Sequence, residues 1–467
     1  MSILRRIKWY SLSSIGVPLM SLATLPLFTM KLGPAQFGSF AIGAALASVI
    51  SAVAGSVSMV SLPAQLAKCN ADERRSYITA VFALALLVAL GASVMVSSIF
   101  AFASASFNLS LISFSAVVVS VIAGLLNSIW AVCVEILTIE GRAKRYAITT
   151  FAQALSNIIA ISAALFYFDD IEHALFWGFF AASVVGFVGA LLLFNQWLTF
   201  NLTRSWFTKA GNGGVASVTA SLSENGKVAV ERSYLGALVG VYPLGLYAHA
   251  QYYKGAAMAA LNALSRGVLP TALQEAQADA PHFSYTIRLW ALVQGFIVSA
   301  ALGFALVGRE VIGLLTHGKF SDAAPLATAL MLILLLQSAA KPHTMLLLSR
   351  GKGHITAHLN TFSIVISIIL LFATASWIGI WAAIVALTIQ VLVHRLGVYF
   401  AANSLHRISF SDYWVVNGVI AMGGCLLIVD LFNLGIVYRS AILFTCYAAM
   451  LWKMKSSFSL LMSARLQ

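Results

Sequence analysis

The sequence predicts an all-α integral membrane protein of about 14 transmembrane helices in two similar halves, and three observations lead there. The chain of 467 residues is 60% hydrophobic and 9% charged, with a mean hydropathy of +0.92. Soluble domains carry about 25% charged residues. Apolar runs of roughly 20 residues, enough to cross the hydrocarbon core as a helix, recur from end to end. They are continuous rather than alternating, which excludes a transmembrane β-barrel. Two short patterns also recur at nearly one offset. Gly33, Gly38 and Phe40 return as Gly240, Gly245 and Tyr247, 207 positions later. The basic turn Arg142-Ala143-Lys144 returns as Arg350-Gly351-Lys352, 208 positions later, so the chain reads as a duplication.

In chain order the expected spans are 9–30, 37–66, 77–103, 110–138, 146–167 and 172–195. After a polar stretch come 215–238, 242–268, 287–315, 322–348, 355–377 and 379–402, then a last pair at 413–431 and 434–452. This grouping sets an N-terminal six-helix lobe at 1–198, an inter-lobe linker at 199–214 and a second six-helix lobe at 215–403. An extra helix pair and tail fill 404–467. The polar insertions 196–214 and 270–286 are too short to fold alone. Lys341 and His343 flank Pro342, which is expected to break the tenth span.

Loop charges orient the spans. With the N-terminus in the cytoplasm, that side collects Arg5, Arg6, Lys8, Lys68, Arg74, Arg75, Arg142, Lys144, Arg145, Arg204 and Lys209. Arg288, Arg350, Lys352, Arg407, Lys453, Lys455 and Arg465 join them, while the other side keeps only Lys31, Arg309, Lys319 and Arg439. This positive-inside bias predicts cytoplasmic termini and an even number of spans. It also accounts for most of the net charge of +13, so no nucleic-acid partner is inferred. The basic start runs into a long span with no small-residue cleavage site, as expected of a signal anchor. Cys69, Cys133, Cys425 and Cys446 have neither metal-ligand nor disulfide spacing and read as packing residues. Asn108-Leu109-Ser110 is a sequon in an expected outward loop.

Catalytic signatures are missing: there is no GxxxxGK[ST], HExxH, DxD or GxSxG, and no cofactor or metal is expected. The chain is read as a non-enzyme. Instead, ionisable groups recur at bilayer depth, where their cost makes them face a cavity or each other. The seventh span places Ser217, Ser221, Glu224 and Glu231 at helical spacing, with Lys227 and Arg232 beside them. Glu224 to Lys227 and Lys227 to Glu231 are within pairing reach, so Lys227 with Glu231 is either a helix lock or part of a path. The eighth span aligns Tyr247, Gln251, Lys254, Asn262 and Arg266, and Arg266 lies where a side chain can also snorkel to the surface. Lys341 belongs to the tenth span, His394 and Arg395 to the twelfth. Glu135 in the fourth span reads as a structural contact or a coupling site, and Asn127 and Asn157 as interhelical hydrogen-bonding residues. His249 has a titration range suited to coupling but is equally a packed residue. Basic residues outnumber acidic ones in the second-lobe spans, which favours an anionic ligand, and pyrophosphate matches Arg and Lys donors.

The segment Leu32-Gly33-Pro34-Ala35-Gln36-Phe37-Gly38 resembles the junction of the first two helices in bacterial oligosaccharide flippases. These are the O-antigen and exopolysaccharide translocases of the multidrug/oligosaccharidyl-lipid/polysaccharide exporter superfamily. Glu231-Arg232, Gly236, Gly240 and Leu244-Gly245-Leu246-Tyr247 resemble that family's acidic-Arg pair followed by Leu-Gly-Leu-Tyr, with Glu for the more usual Asp. Pro270 matches a proline at the end of the eighth span. The resemblance implies two lobes in a V around a central cavity. It also implies alternating-access transport of an undecaprenyl-pyrophosphate-type glycolipid to the outer leaflet of a bacterial cytoplasmic (inner) membrane, for lipopolysaccharide O-antigen or another surface polysaccharide. Arg232, Lys254, Arg266, Lys227, Gln251 and Lys341 are then the candidate substrate path. Glu224, Glu231 and Glu135 are the candidates for coupling to H+ or Na+. A polysaccharide polymerase and glycosyltransferases would be partners, and membrane lipid the surroundings. A lipid-linked peptidoglycan precursor flippase, a drug/cation antiporter of the same superfamily and a membrane polymerase or ligase are the alternatives.

Overall fold

Prolines and polar turns decide where the apolar runs break. In this computed structural model the described residues are 3–59, 61–66, 68–107, 112–199, 203–212, 214–277, 284–405, 413–432 and 435–448. Among them there is no β-strand. The expected first span is two helices, α1 (Ile3–Ala23) and α2 (Leu25–Lys31), because Pro26 lacks the N–H that would continue the ladder. The second divides likewise into α3 (Pro34–Ser56) and α4 (Ser61–Leu66). Next come α5 (Ala71–Phe107), α6 (Phe114–Ile139), α7 (Ala143–Tyr167) and α8 (Ile171–Phe194). The polar stretch that follows holds the short α9 (Arg204–Gly211). Then come α10 (Gly214–Val239), α11 (Val241–Gln277) and α12 (Ser284–Leu315). The tenth span divides into α13 (Ala324–Ser338) and α14 (Lys341–Ser349), with Pro342 in the first turn of α14 where its missing N–H costs nothing. The series closes with α15 (Gly353–Ile378), α16 (Trp381–Asn403), α17 (Tyr413–Phe432) and α18 (Ile436–Ala448).

Two expectations are corrected here. Pro270 does not end its helix: α11 continues to Gln277. The duplicated basic turn also sits in a different register from the motif. Gly141 donates to Thr138 and Arg142 to Leu137, and Gly351 to Leu348 and Lys352 to Leu347 in the same pattern. Arg142 therefore corresponds to Lys352, two residues from the match of Arg142 with Arg350, because backbone geometry rather than side-chain charge defines the turn.

Nine helical stretches among the described residues are long and apolar enough to cross a membrane. Two of these, 34–63 and 321–348, include the breaks just described. The chain is thus a multi-pass membrane protein. α10 and α11 have the length but not the apolarity. The sequon and the tail beyond 448, with Lys453, Lys455 and Arg465, lie outside the described residues, as does Arg407.

The chain forms two compact units, Met1–Gly245 and Leu246–Gln467, so the 199–214 linker and α10 belong to the first. In that unit α3 is the central helix, packed on α6, α10 and α5, while α7 lies against α8 and α1. Asn127 Nδ2 donates to Ser183 Oγ at 3.0 Å, an interhelical bond of the kind expected for it. Asp170 caps α8, accepting from the backbone of Glu172 and His173. A hydrogen bond from the His173 ring holds its carboxyl below the ordinary carboxylate range. The cap therefore persists at neutral pH and is lost only as pH falls through that lowered value.

In the second unit α15 pairs with α16, and α12 packs on α13 and α17. The terminal helices are tied into this unit. Arg439 Nη2 meets Glu310 Oε1 at 2.7 Å, and Tyr447 Oη donates to the Ser299 carbonyl at 2.8 Å.

Candidate functional site

In the first unit two polar contacts mark the seam where α10 runs antiparallel along α3. Ser48 Oγ lies 3.1 Å from Asn225 Oδ1, and Arg232 Nη1 donates to the Ala41 carbonyl at 2.9 Å. These bonds are seven residues apart on both helices, in opposite directions, so a single register spans two turns. Asn225 also donates to the Ser221 carbonyl at 3.1 Å. Its position in the polar seventh span was legible, but its partner was not.

The spacing of Lys227 and Glu231 puts them on one face, and they meet: Lys227 Nζ is 3.7 Å from Glu231 Oε2. Both are buried, at 7% and 5% exposed. Two charges at this depth are tolerable only together. Glu231→Gln is expected to lower stability by about 2 kcal/mol. Lys227→Met combined with Glu231→Leu should recover most of that loss, as thermal unfolding of the purified variants would show.

Beside this seam opens a cleft of about 440 Å³. Its walls come from the end of α3 with Met59 beyond it, from α6 and from the first turns of α10. Ser51 and Ser56, Glu135, and Ser217, Ser221 and Glu224 supply its polar groups. Thus the cleft joins Glu135 to Glu224, two residues singled out separately in the sequence. Its described lining holds no Lys or Arg, so it can attract a cation or exchange protons, and it offers a phosphate only serine hydroxyls and no cationic donor.

The remaining substrate-path candidates are in the second unit. Gln251 Nε2 donates to Tyr247 Oη at 2.7 Å, so both turn to the same face of α11. Lys254 is half-buried three residues after Gln251, and the side chain of Arg266 lies outside the described residues. Lys341 is half-buried at the start of α14, which packs against α16, the helix that carries His394. His249 is fully buried, 3.0 Å from Tyr253 Oη and stacked on Phe320 at 4.3 Å between centroids.

Sequence reasoning missed the role of Glu140. Its carboxylate, 3% exposed, bridges Arg74 and Arg142; Arg142 Nε is 2.6 Å from Oε2. Both guanidinium groups also lie over the Trp197 ring, at 5.1 and 4.6 Å. One acidic residue in an otherwise basic turn was the available signal.

The sequence pattern of the family described as polysaccharide biosynthesis protein matches residues 3–274. The chain belongs to this family. Curated proteins show no sequence match to it. Solved structures do share the fold. The lipid II flippase MurJ in an inward closed conformation aligns with a TM-score of 0.70 at 15% identity, covering 96% of this chain and 98% of that one. An inward-facing multidrug resistance MATE family transporter of the MOP superfamily aligns at 0.65 and 14% identity, covering 85% and 98%. A MOP superfamily transporter from Pyrococcus furiosus, described as having a binding pocket of reverse polarity, aligns at 0.57 and 16% identity, covering 86% and 96%. At these identities the likeness establishes the all-helical fold of that superfamily, which the family member described here shares.

Proposed function

We propose that this protein is a flippase that moves a polyprenyl-pyrophosphate-linked oligosaccharide from the cytoplasmic to the outer leaflet of a bacterial inner membrane by alternating access. One observation carries this reading: a member of a polysaccharide biosynthesis family has, among its described residues, nine helical stretches long and apolar enough to cross a membrane. The work that such a chain can do in polysaccharide synthesis is to carry a membrane-borne intermediate across. Charge at bilayer depth supports it. Lys254, Lys341, Arg266 and Arg232 offer donors of the kind a pyrophosphate recruits, with Lys227 and Gln251 nearby in sequence. The polyprenyl tail would remain in lipid.

The acidic cleft suits the energy source. Protonation, or a sodium ion, at Glu135 and Glu224 would be exchanged as the protein changes state, with Glu231 as the third acidic candidate. In this reading both termini are cytoplasmic. Glycosyltransferases make the cargo on that side and a polymerase consumes it on the other, for O-antigen or a related surface polysaccharide.

The same cleft favours a second reading, a drug/cation antiporter, since its described polar lining is acidic and suits cationic cargo. Gene deletion separates the two. For a flippase, complete lipid-linked repeat units accumulate on the cytoplasmic face, measured by leaflet-selective labelling and mass spectrometry. Wild type restores delivery, and Lys254→Ala lowers it at least tenfold. Glu224→Gln removes its dependence on the proton or sodium gradient. Normal delivery together with lost resistance to cationic drugs would replace the flippase with the antiporter.

A further inference from the structure

Near its start α12 buries polarity that its packing does not require. Trp290 and Gln294 are one turn apart and therefore share a face. Neither has any exposed surface. The indole Nε1–H, the Gln294 carboxamide nitrogen and its oxygen are all enclosed and make no hydrogen bond. The other buried residues along this stripe, Val293, Ile297, Val298 and Ala301, have no side-chain group to offer. Buried donors and acceptors are almost always paired, and leaving them unpaired is costly. Leu and Phe would fill similar volumes without that cost. Two such residues together, one offering a donor and the other both a donor and an acceptor, are what a ligand site looks like when closed.

We propose that Trp290 and Gln294 form a subsite for a neutral sugar unit of the cargo, engaged when this face of α12 opens. A carboxamide matches a pair of sugar hydroxyls or an acetamido group, as acceptor and donor at once. The indole adds an N–H donor and a flat apolar face for the C–H side of the ring. Neither group is charged, so the pair selects the glycan and leaves the pyrophosphate to basic residues. Pairing with cargo recovers the hydrogen bonds missing in the closed arrangement, and this lowers the open, loaded state relative to it. The inference rests on the flippase reading and deepens it.

Purified protein in proteoliposomes tests it, with undecaprenyl-pyrophosphate-linked N-acetylglucosamine oligosaccharide as probe, thermal unfolding measured alongside. Gln294→Leu is expected to slow transfer at least tenfold, chiefly through a raised apparent KM, with a melting temperature equal to or above wild type. Trp290→Phe, which keeps the ring and removes the N–H, should raise the KM about threefold or more. Normal transfer by both variants overturns the subsite while leaving the flippase intact. So does a loss of transfer that tracks a fall in melting temperature in both. Failure of wild type to move the probe overturns the flippase reading and the subsite with it.

Discussion

Gly245→Ala should leave little folded protein in the membrane. A Cβ on Gly245 would overlap the Pro34 carbonyl oxygen and come within 3.1 Å of the Gly38 nitrogen. Gly38 stands in the mirrored position, where a Cβ would overlap the Val241 carbonyl oxygen and lie 3.0 Å from the Gly245 nitrogen. The duplicated glycine motifs thus pack on each other, α3 against the first turn of α11. All the opposing atoms are backbone, so no side-chain rotation relieves the overlap and the helices must separate. Overpacking of a close interface costs about 1–3 kcal/mol, and a backbone clash belongs at or above the upper end. Small residues let membrane helices approach this closely because packing, rather than exclusion of water, holds them together. The expected outcome is a loss of at least about 3 kcal/mol for Gly245→Ala or Gly38→Ala, read by thermal unfolding and by yield after extraction. Gly91→Ala is the control. Its added methyl meets nothing within 4 Å, and α5 should be unaffected or slightly stabilised. Equal behaviour of the three variants would show that the close approach contributes nothing.

Glu140→Ala should be the second most damaging change. Glu140 links the α6–α7 turn to Arg74 at the start of α5 and to Arg142 in the same turn. Trp197, after α8, completes the group beneath both guanidinium groups. Removing the carboxylate leaves two cations facing each other around one indole. Breaking a buried pair from one side costs about 3–5 kcal/mol, and partial exposure of both arginines places this case near about 3. Arg74→Ala in the Glu140→Ala background should restore part of the loss, because it removes the repulsion that the first change creates. A double-mutant cycle on melting temperature measures the coupling. Additive losses would mean that the three side chains are neighbours without interaction.

The order and class of the elements were readable because their causes are local. Continuous apolar runs, Pro342 between Lys341 and His343, and the four-residue step from Lys227 to Glu231 all produced the expected outcome. Pro270 shows the limit of a local signal, since α11 runs on past it to Gln277. The second-half basic residues suggested a positive cavity, whereas the cleft found in the first unit is acidic and joins Glu135 to Glu224. Each glutamate was visible alone, but nothing local tied them together.

Composition and run length by themselves determined that this chain is a multi-helix membrane protein. Water and hydrocarbon act on every helix separately, so that information sits within each segment. Which faces meet was decided only in the tertiary structure: Ser48 with Asn225, Gly38 with Gly245, Glu140 between two arginines. In a membrane the lipid-facing and buried sides of a helix are equally apolar, so the hydrophobic pattern that marks a core face in a soluble protein is absent. Packing between close backbones and a few polar pairs selects the partners instead, and those partners lie far apart in the chain.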